Sequence, residues 1–192
     1  MADKYSFHEV FRRYLDSERI SGAMRPICSL IASGTFSRAS FDKLIANEGL
    51  SGAPNLKETL LDLILVFARE CVEDHELSRA ELDELEILTT VFRIEEGNFY
   101  ELRRDAVQEV LGHQTRWMLQ DRYVTNQEEV LQRDLQRLFG LSYDQYVALL
   151  RPLVRTHIDG LENRKLAIQD RKELKLIESC IQNLRGVFLV PQ

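Results

Sequence analysis

Apolar residues recur along this chain every three or four positions, and no stretch alternates apolar with polar residues at a period of two. That periodicity predicts about eight helices and no sheet. A first helix covers 5–15, with Val10, Phe11, Tyr14 and Leu15 at helical spacing. A second covers 24–33, with Pro26 in its first turn, where a missing N–H costs nothing. A third runs from 38 to 47 and stops near Gly49, and Leu50–Pro54 reads as a loop. Asn55-x-x-Glu58 reads as a capping box opening a helix through Cys71. Its apolar residues, Leu60, Leu61, Leu63, Ile64, Leu65 and Phe67 among them, go nearly all round, which places it inside a bundle. Further boxes, Ser78-x-x-Glu81 and Thr125-x-x-Glu128, open two more helices, and a long helix over 97–119 lies between them. Gly140 closes the second of these in the left-handed C′ position. Ser142-x-x-Gln145 starts another helix, expected to kink or break near Pro152. A charged amphipathic helix spans 160–185, and the apolar stretch Val187–Val190 is expected to pack back on the body.

Two segments of this pattern are copies of one another. Residues 67–102 align with 114–149 without a gap, at the offset that carries Asp74 onto Asp121. Arg69/Arg116, Asp74/Asp121, Glu81/Glu128, Leu88/Leu135, Phe92/Phe139 and Leu102/Leu149 are identical pairs. Leu77/Val124, Ser78/Thr125, Ile94/Leu141 and Phe99/Tyr146 are conservative ones. Similarity at a fixed period of this length marks a repeated helical unit. The expected organisation is an N-terminal helical extension over 1–53, a duplicated core over 54–157 and a C-terminal helix with its apolar tail over 158–192, together one compact unit.

Composition sharpens this without changing it. The 192 residues carry a net charge of −6 with a pI near 5.3, which argues against a phosphate-binding surface and for no nucleic-acid partner. The longest apolar stretch, Leu60–Ala68, contains Asp62 and is too short to span a bilayer. The N-terminal residues lack an apolar signal core, so a cytoplasmic protein is expected. Cys28, Cys71 and Cys180 are far apart and odd in number, the usage of reduced, buried thiols.

The candidate chemistry sits in the repeated motif, Asp-x-x-[Leu/Val]-[Ser/Thr]-x-x-Glu. Helix capping alone accounts for the Ser/Thr and Glu, at about 1 kcal/mol per cap. It does not call for Asp74 and Asp121, which either bracket the bend as Asx turns do or give oxygens to a cation. Asp74, Glu76 and Glu81 with Ser78 are the stronger oxygen set for Ca²⁺ or Mg²⁺; Asp121 and Glu128 are the weaker one, since Tyr123 replaces the acid of Glu76. Catalysis finds little support: the four histidines fall on separate segments and no phosphate loop or nucleophile elbow occurs. Trp117, Tyr123 and Tyr143 are candidate partner-binding aromatics.

The stretches LILVFARECVEDHELSRAELDELEIL and MLQDRYVTNQEEVLQRDLQRLFGLS, with the duplication that relates them, resemble the TerB-like (tellurite-resistance) helical domain over about residues 56–150. In that family the bend ordinarily reads Asp-Gly; here His75 and Arg122 follow the Asp. The resemblance implies an all-α fold and a non-enzymatic protein-interaction module of a bacterial stress-response or phage-defence complex. It also implies an acidic loop, Asp74, Glu76 and Glu81, associated with divalent cations. A metal-dependent hydrolase built on the clustered acids and a structural subunit that forms a homo-oligomer through 160–190 are the alternatives.

Overall fold

The computed structural model describes residues 6–17, 20, 22, 24–75, 77–119 and 126–189, with side chains in 126–138 described from Leu131 onward. Among them the protein is all α: ten α-helices, one short 3-10 turn and no strand. The chain forms two compact units, Met1–Arg103 and Arg104–Gln192. The division falls between the two sequence repeats, so the boundaries expected near 53 and 157 lie inside units.

The first unit holds α1 (Phe7–Asp16), α2 (Met24–Ala32), α3 (Arg38–Asn47), the 3-10 turn Leu50–Gly52, α4 (Leu56–Cys71), α5 (Arg79–Val91) and α6 (Asn98–Leu102). Helix α4 is its centre. Leu61, Leu63, Ile64, Leu65, Phe67 and Ala68 are essentially inaccessible, and each large side chain so buried contributes roughly 1.5–3 kcal/mol. Phe7 and Phe11 of α1 meet Phe67 at tilted angles, and Phe7 also meets Phe36 edge-on, which joins them to Phe36, Phe41 and Phe92, whose ring centres are 5.1 to 6.4 Å apart. Helix α4 does not start with a capping box. Asn55 takes a left-handed backbone (φ 67) and its side chain makes no cap bond, because capping needs extended backbone at that position.

The long helix expected over 97–119 is broken at Arg103. The break has a cause in side-chain chemistry. Arg103 Nε and Nη2 donate to the two oxygens of Asp62 at 2.5 and 2.9 Å, and Nη1 donates to Glu58 at 2.7 Å and to the Leu102 carbonyl at 2.8 Å. The backbone swings to φ −138, ψ 32 to place the guanidinium there, which ends α6 and lets α7 begin at the next residue.

The second unit holds α7 (Arg104–Met118), α8 (Asn126–Leu138), α9 (Tyr143–Lys165) and α10 (Arg171–Phe188). Helix α9 runs through Pro152 without stopping. Leu149, Leu150, Val154 and Ile158 form one continuous buried face, and that burial outweighs the single backbone bond the proline forgoes. The charged helix expected over 160–185 is two pieces: α9 ends at Lys165, and Asp170, accepting from the Lys172 amide at 2.8 Å, caps a new helix. Of the apolar tail, Phe188 is buried at the end of α10 and Val187 is exposed; Val190 lies outside the described residues. Among the described residues no helix is long and apolar enough to cross a membrane.

Helix boundaries repeat with the sequence. Helices α4 and α7 end at the equivalent Cys71 and Met118, and α5 and α8 begin at Arg79 and Asn126 and end at Val91 and Leu138, again equivalent. The stop signals match bond for bond. Arg93 N–H donates to Thr90 O and Ile94 N–H to Thr89 O; Gly140 N–H donates to Arg137 O and Leu141 N–H to Gln136 O. Both are Schellman stops with a left-handed residue, φ 55 at Arg93 and φ 54 at Gly140.

Candidate functional site

In the first unit the repeated motif builds a bend from Val72 to Ser78 between α4 and α5. Val72 N–H donates to the Ala68 carbonyl at 3.1 Å, and His75 N–H to Val72 O at 3.1 Å, curling the chain off the helix end. His75 has φ 65, the left-handed conformation that glycine adopts without strain. The bend closes on a complete capping box. Ser78 N–H donates to Glu81 Oε2 at 2.8 Å, and Glu81 N–H donates to Ser78 Oγ at 3.2 Å. Glu81 is only 5% exposed; the cap amide and the positive end of α5 accommodate its charge.

Around this bend lies a depression of about 180 Å³, with Val10, Phe67 and Cys71 contributing apolar surface and Glu70, Glu73, Asp74 and Glu81 contributing carboxylates. Glu70 also accepts from Arg13 at 2.9 Å, an exposed pair of small energetic weight. One turn along α5, Glu84 Oε2 accepts from the Phe7 amide at 2.9 Å and so ties the start of α1 to α5. Burial lifts the Glu84 carboxyl above the ordinary glutamate range, an effect that the Phe7 amide and nearby His8 partly offset and Glu81 and Glu9 reinforce. Cys28, on the buried face of α2, has its thiol pushed up to about 12 by burial, which disfavours the thiolate.

Of the oxygens expected to bind a cation, Asp74 and Glu81 do share this depression. Glu76, Asp121 and the side chain of Glu128 lie outside the described residues. Among the described residues no group of three or more His, Cys, Asp or Glu side chains is disposed to hold a metal ion. The carboxylates therefore line the depression without converging on one point. Of the partner-binding aromatics, Tyr143 is 44% exposed at the first turn of α9, Trp117 is half-buried on α7, and Tyr123 lies outside the described residues. Tyr146, the equivalent of Phe99, is buried as that residue is, and burial raises its hydroxyl pKa.

Sequence reasoning missed Glu70 and Glu73 as members of this site. Glu70 lies in the last turn of α4, and Glu73 and Asp74 follow in the bend that leaves it, so closeness in sequence to Asp74 was a usable signal. It also missed Glu58 and Asp62 as the anchors of Arg103, since those pairings span 45 and 41 residues. No protein-family model matches this chain, and no curated protein and no solved structure matches it either.

Proposed function

We propose that this chain is a non-enzymatic, TerB-like protein-interaction module of a bacterial stress-response or phage-defence complex. The acidic depression of the first unit is its docking face. The observation that carries this reading is the arrangement of Glu70, Glu73, Asp74 and Glu81 around the apolar surface of Val10, Phe67 and Cys71. Carboxylates spread around an apolar floor suit a basic segment with an apolar anchor: the charges steer it and the floor seats it. The kinship is supported by the left-handed His75, which stands where the family's glycine is expected, and by helix bounds that recur with the repeat. A Ca²⁺ or Mg²⁺ ion drawn to Asp74 and Glu81 would stiffen the bend and preorganise this face.

The deciding experiment starts from capture of partners in the native host and then measures a purified partner against the wild type and the double variant Glu73→Lys/Asp74→Lys. Both side chains are exposed, and a circular-dichroism melt of the double variant checks that the fold is retained before affinity is read. Affinity is expected to drop at least roughly tenfold, with a weaker dependence on salt. Repeating the titration with millimolar Mg²⁺ reads the cation. An unchanged affinity in the double variant would remove the depression from the docking role.

A further inference from the structure

A second concave surface, opposite in character, lies in the second unit between α7 and α9. It is a groove of about 700 Å³ walled by Leu119, Pro152, Leu153 and Leu161, with Arg116, Arg164 and His157 along it. Among the described residues no Asp or Glu lines it, on a chain whose net charge is −6. Arg116 makes no ion pair or hydrogen bond among the described residues, while Arg164 is held by Glu173 at 2.8 Å. Burial keeps His157 below its ordinary pKa.

The groove is also where α9 sacrifices helix propensity. Pro152 and Gly160, the poorest helix formers, both sit inside this 23-residue helix and both line the groove. A Cβ built on Gly160 meets nothing within 4 Å. Among the described residues no neighbour requires glycine there, and its missing side chain leaves open space. The lining residues of α9 run from Pro152 to Arg164, roughly 18 Å at 1.5 Å per residue, the length of about three helical turns.

We propose that this groove docks an acidic amphipathic helix from a partner protein. Apolar side chains at positions i, i+4 and i+7 of that helix lie between Leu119, Leu153 and Leu161, and flanking carboxylates meet Arg116 and Arg164. The site is separate from the acidic depression and does not depend on it.

The test uses the full chain and fluorescently labelled 15-residue helical peptides in an anisotropy titration. One peptide carries leucines at i, i+4 and i+7 with flanking glutamates, and a second replaces each glutamate by lysine. The glutamate peptide is expected to bind at least roughly tenfold tighter than the lysine peptide. Gly160→Leu, which fills the open space, is expected to weaken it at least roughly tenfold. Gly160→Ala is expected to raise the melting midpoint and leave affinity within about twofold. Should Gly160→Leu fail to fold, Arg116→Glu carries the test, with the peptide preference expected to shrink or reverse. Glu73→Lys/Asp74→Lys is expected to leave this binding unchanged, which separates the groove from the acidic depression. Equal binding of the two peptides, no binding of the glutamate peptide up to about 100 μM, or indifference to both groove variants overturns the proposal. So does a wild-type dimer in sedimentation that Gly160→Leu or Arg116→Glu dissociates, since the occupant is then a second copy.

Discussion

The helices α4–α6 and α7–α9 are two readings of one repeated sequence, and they differ in what fills it. The backbone signals are duplicated: equivalent helix ends and the same pair of Schellman bonds. The side chains around those signals have diverged. Phe67 and Ala68, wholly buried, become the buried polar pair Gln114 and Thr115, with Thr115 Oγ1 donating to the Leu111 carbonyl at 2.8 Å. Arg103, clamped by Glu58 and Asp62, becomes the inaccessible Leu150, so α6 ends where α9 continues. The acidic depression belongs to the first unit and the arginine-bearing groove to the second. What the repeat keeps is the backbone signal at the helix ends; the side chains have diverged both in the interior, as at Gln114 and Thr115, and at the surface.

The largest test of that comparison lies in the shared interior positions. Leu88 and Leu135 are equivalent and essentially inaccessible, at 0% and 1% exposure. Truncation to Ala is expected to cost roughly 2–5 kcal/mol at either site, read from urea unfolding followed by circular dichroism. A cost below about 1 kcal/mol at one site alone would mean that the repeat is shared in geometry but not in packing energy.

What could be read in the sequence was local. The α3 boundaries, the boxes at Ser78 and Ser142 and the left-handed Gly140 each follow from a few adjacent residues whose backbone preferences agree. The all-apolar pattern of α4 placed it centrally, because periodicity reports burial directly. What escaped was set by distant partners or masked by residue type. The break at Arg103 depends on Asp62, and the passage of α9 through Pro152 depends on packing along its buried face. The floor of the acidic depression takes Val10 from α1, which no motif around Asp74 announces.

A middling effect separates Arg93 from Gly140, two equivalent residues at nearly the same left-handed φ. Gly140→Ala is expected to destabilise by about 1 kcal/mol, the cost of a Cβ in that conformation. Arg93→Gly relieves that strain, but it loses an exposed pair with Asp42 at 3.3 Å and adds freedom to the unfolded chain. Its net effect is expected to stay within about 0.5 kcal/mol of zero by thermal melting. Equal and opposite effects at the two positions would show that the stop signal is worth the same in both units and that Arg93 contributes nothing else.

The smallest and most diagnostic effect lies at Glu84, whose equivalent in the second unit is the buried Leu131. Its carboxyl is raised chiefly by burial, so the folded state holds the proton more tightly than the unfolded state does. The stability this contributes is fully present below the ordinary glutamate pKa of about 4.3 and is lost as pH rises through the raised value. At neutral pH the ionised side chain therefore opposes folding. Glu84→Gln keeps an oxygen for the Phe7 amide and removes the charge. Its melting midpoint is expected to exceed that of the wild type at pH 7, and the gap is expected to close as pH falls towards 4. Because the side chain is partly solvent-facing, the difference is expected to be the smallest of these effects. A gap of constant size from pH 7 to 4, or one that widens on acidification, would mean that the bond to Phe7 outweighs burial. The first unit would then depend on a charge at the position that the second fills with leucine.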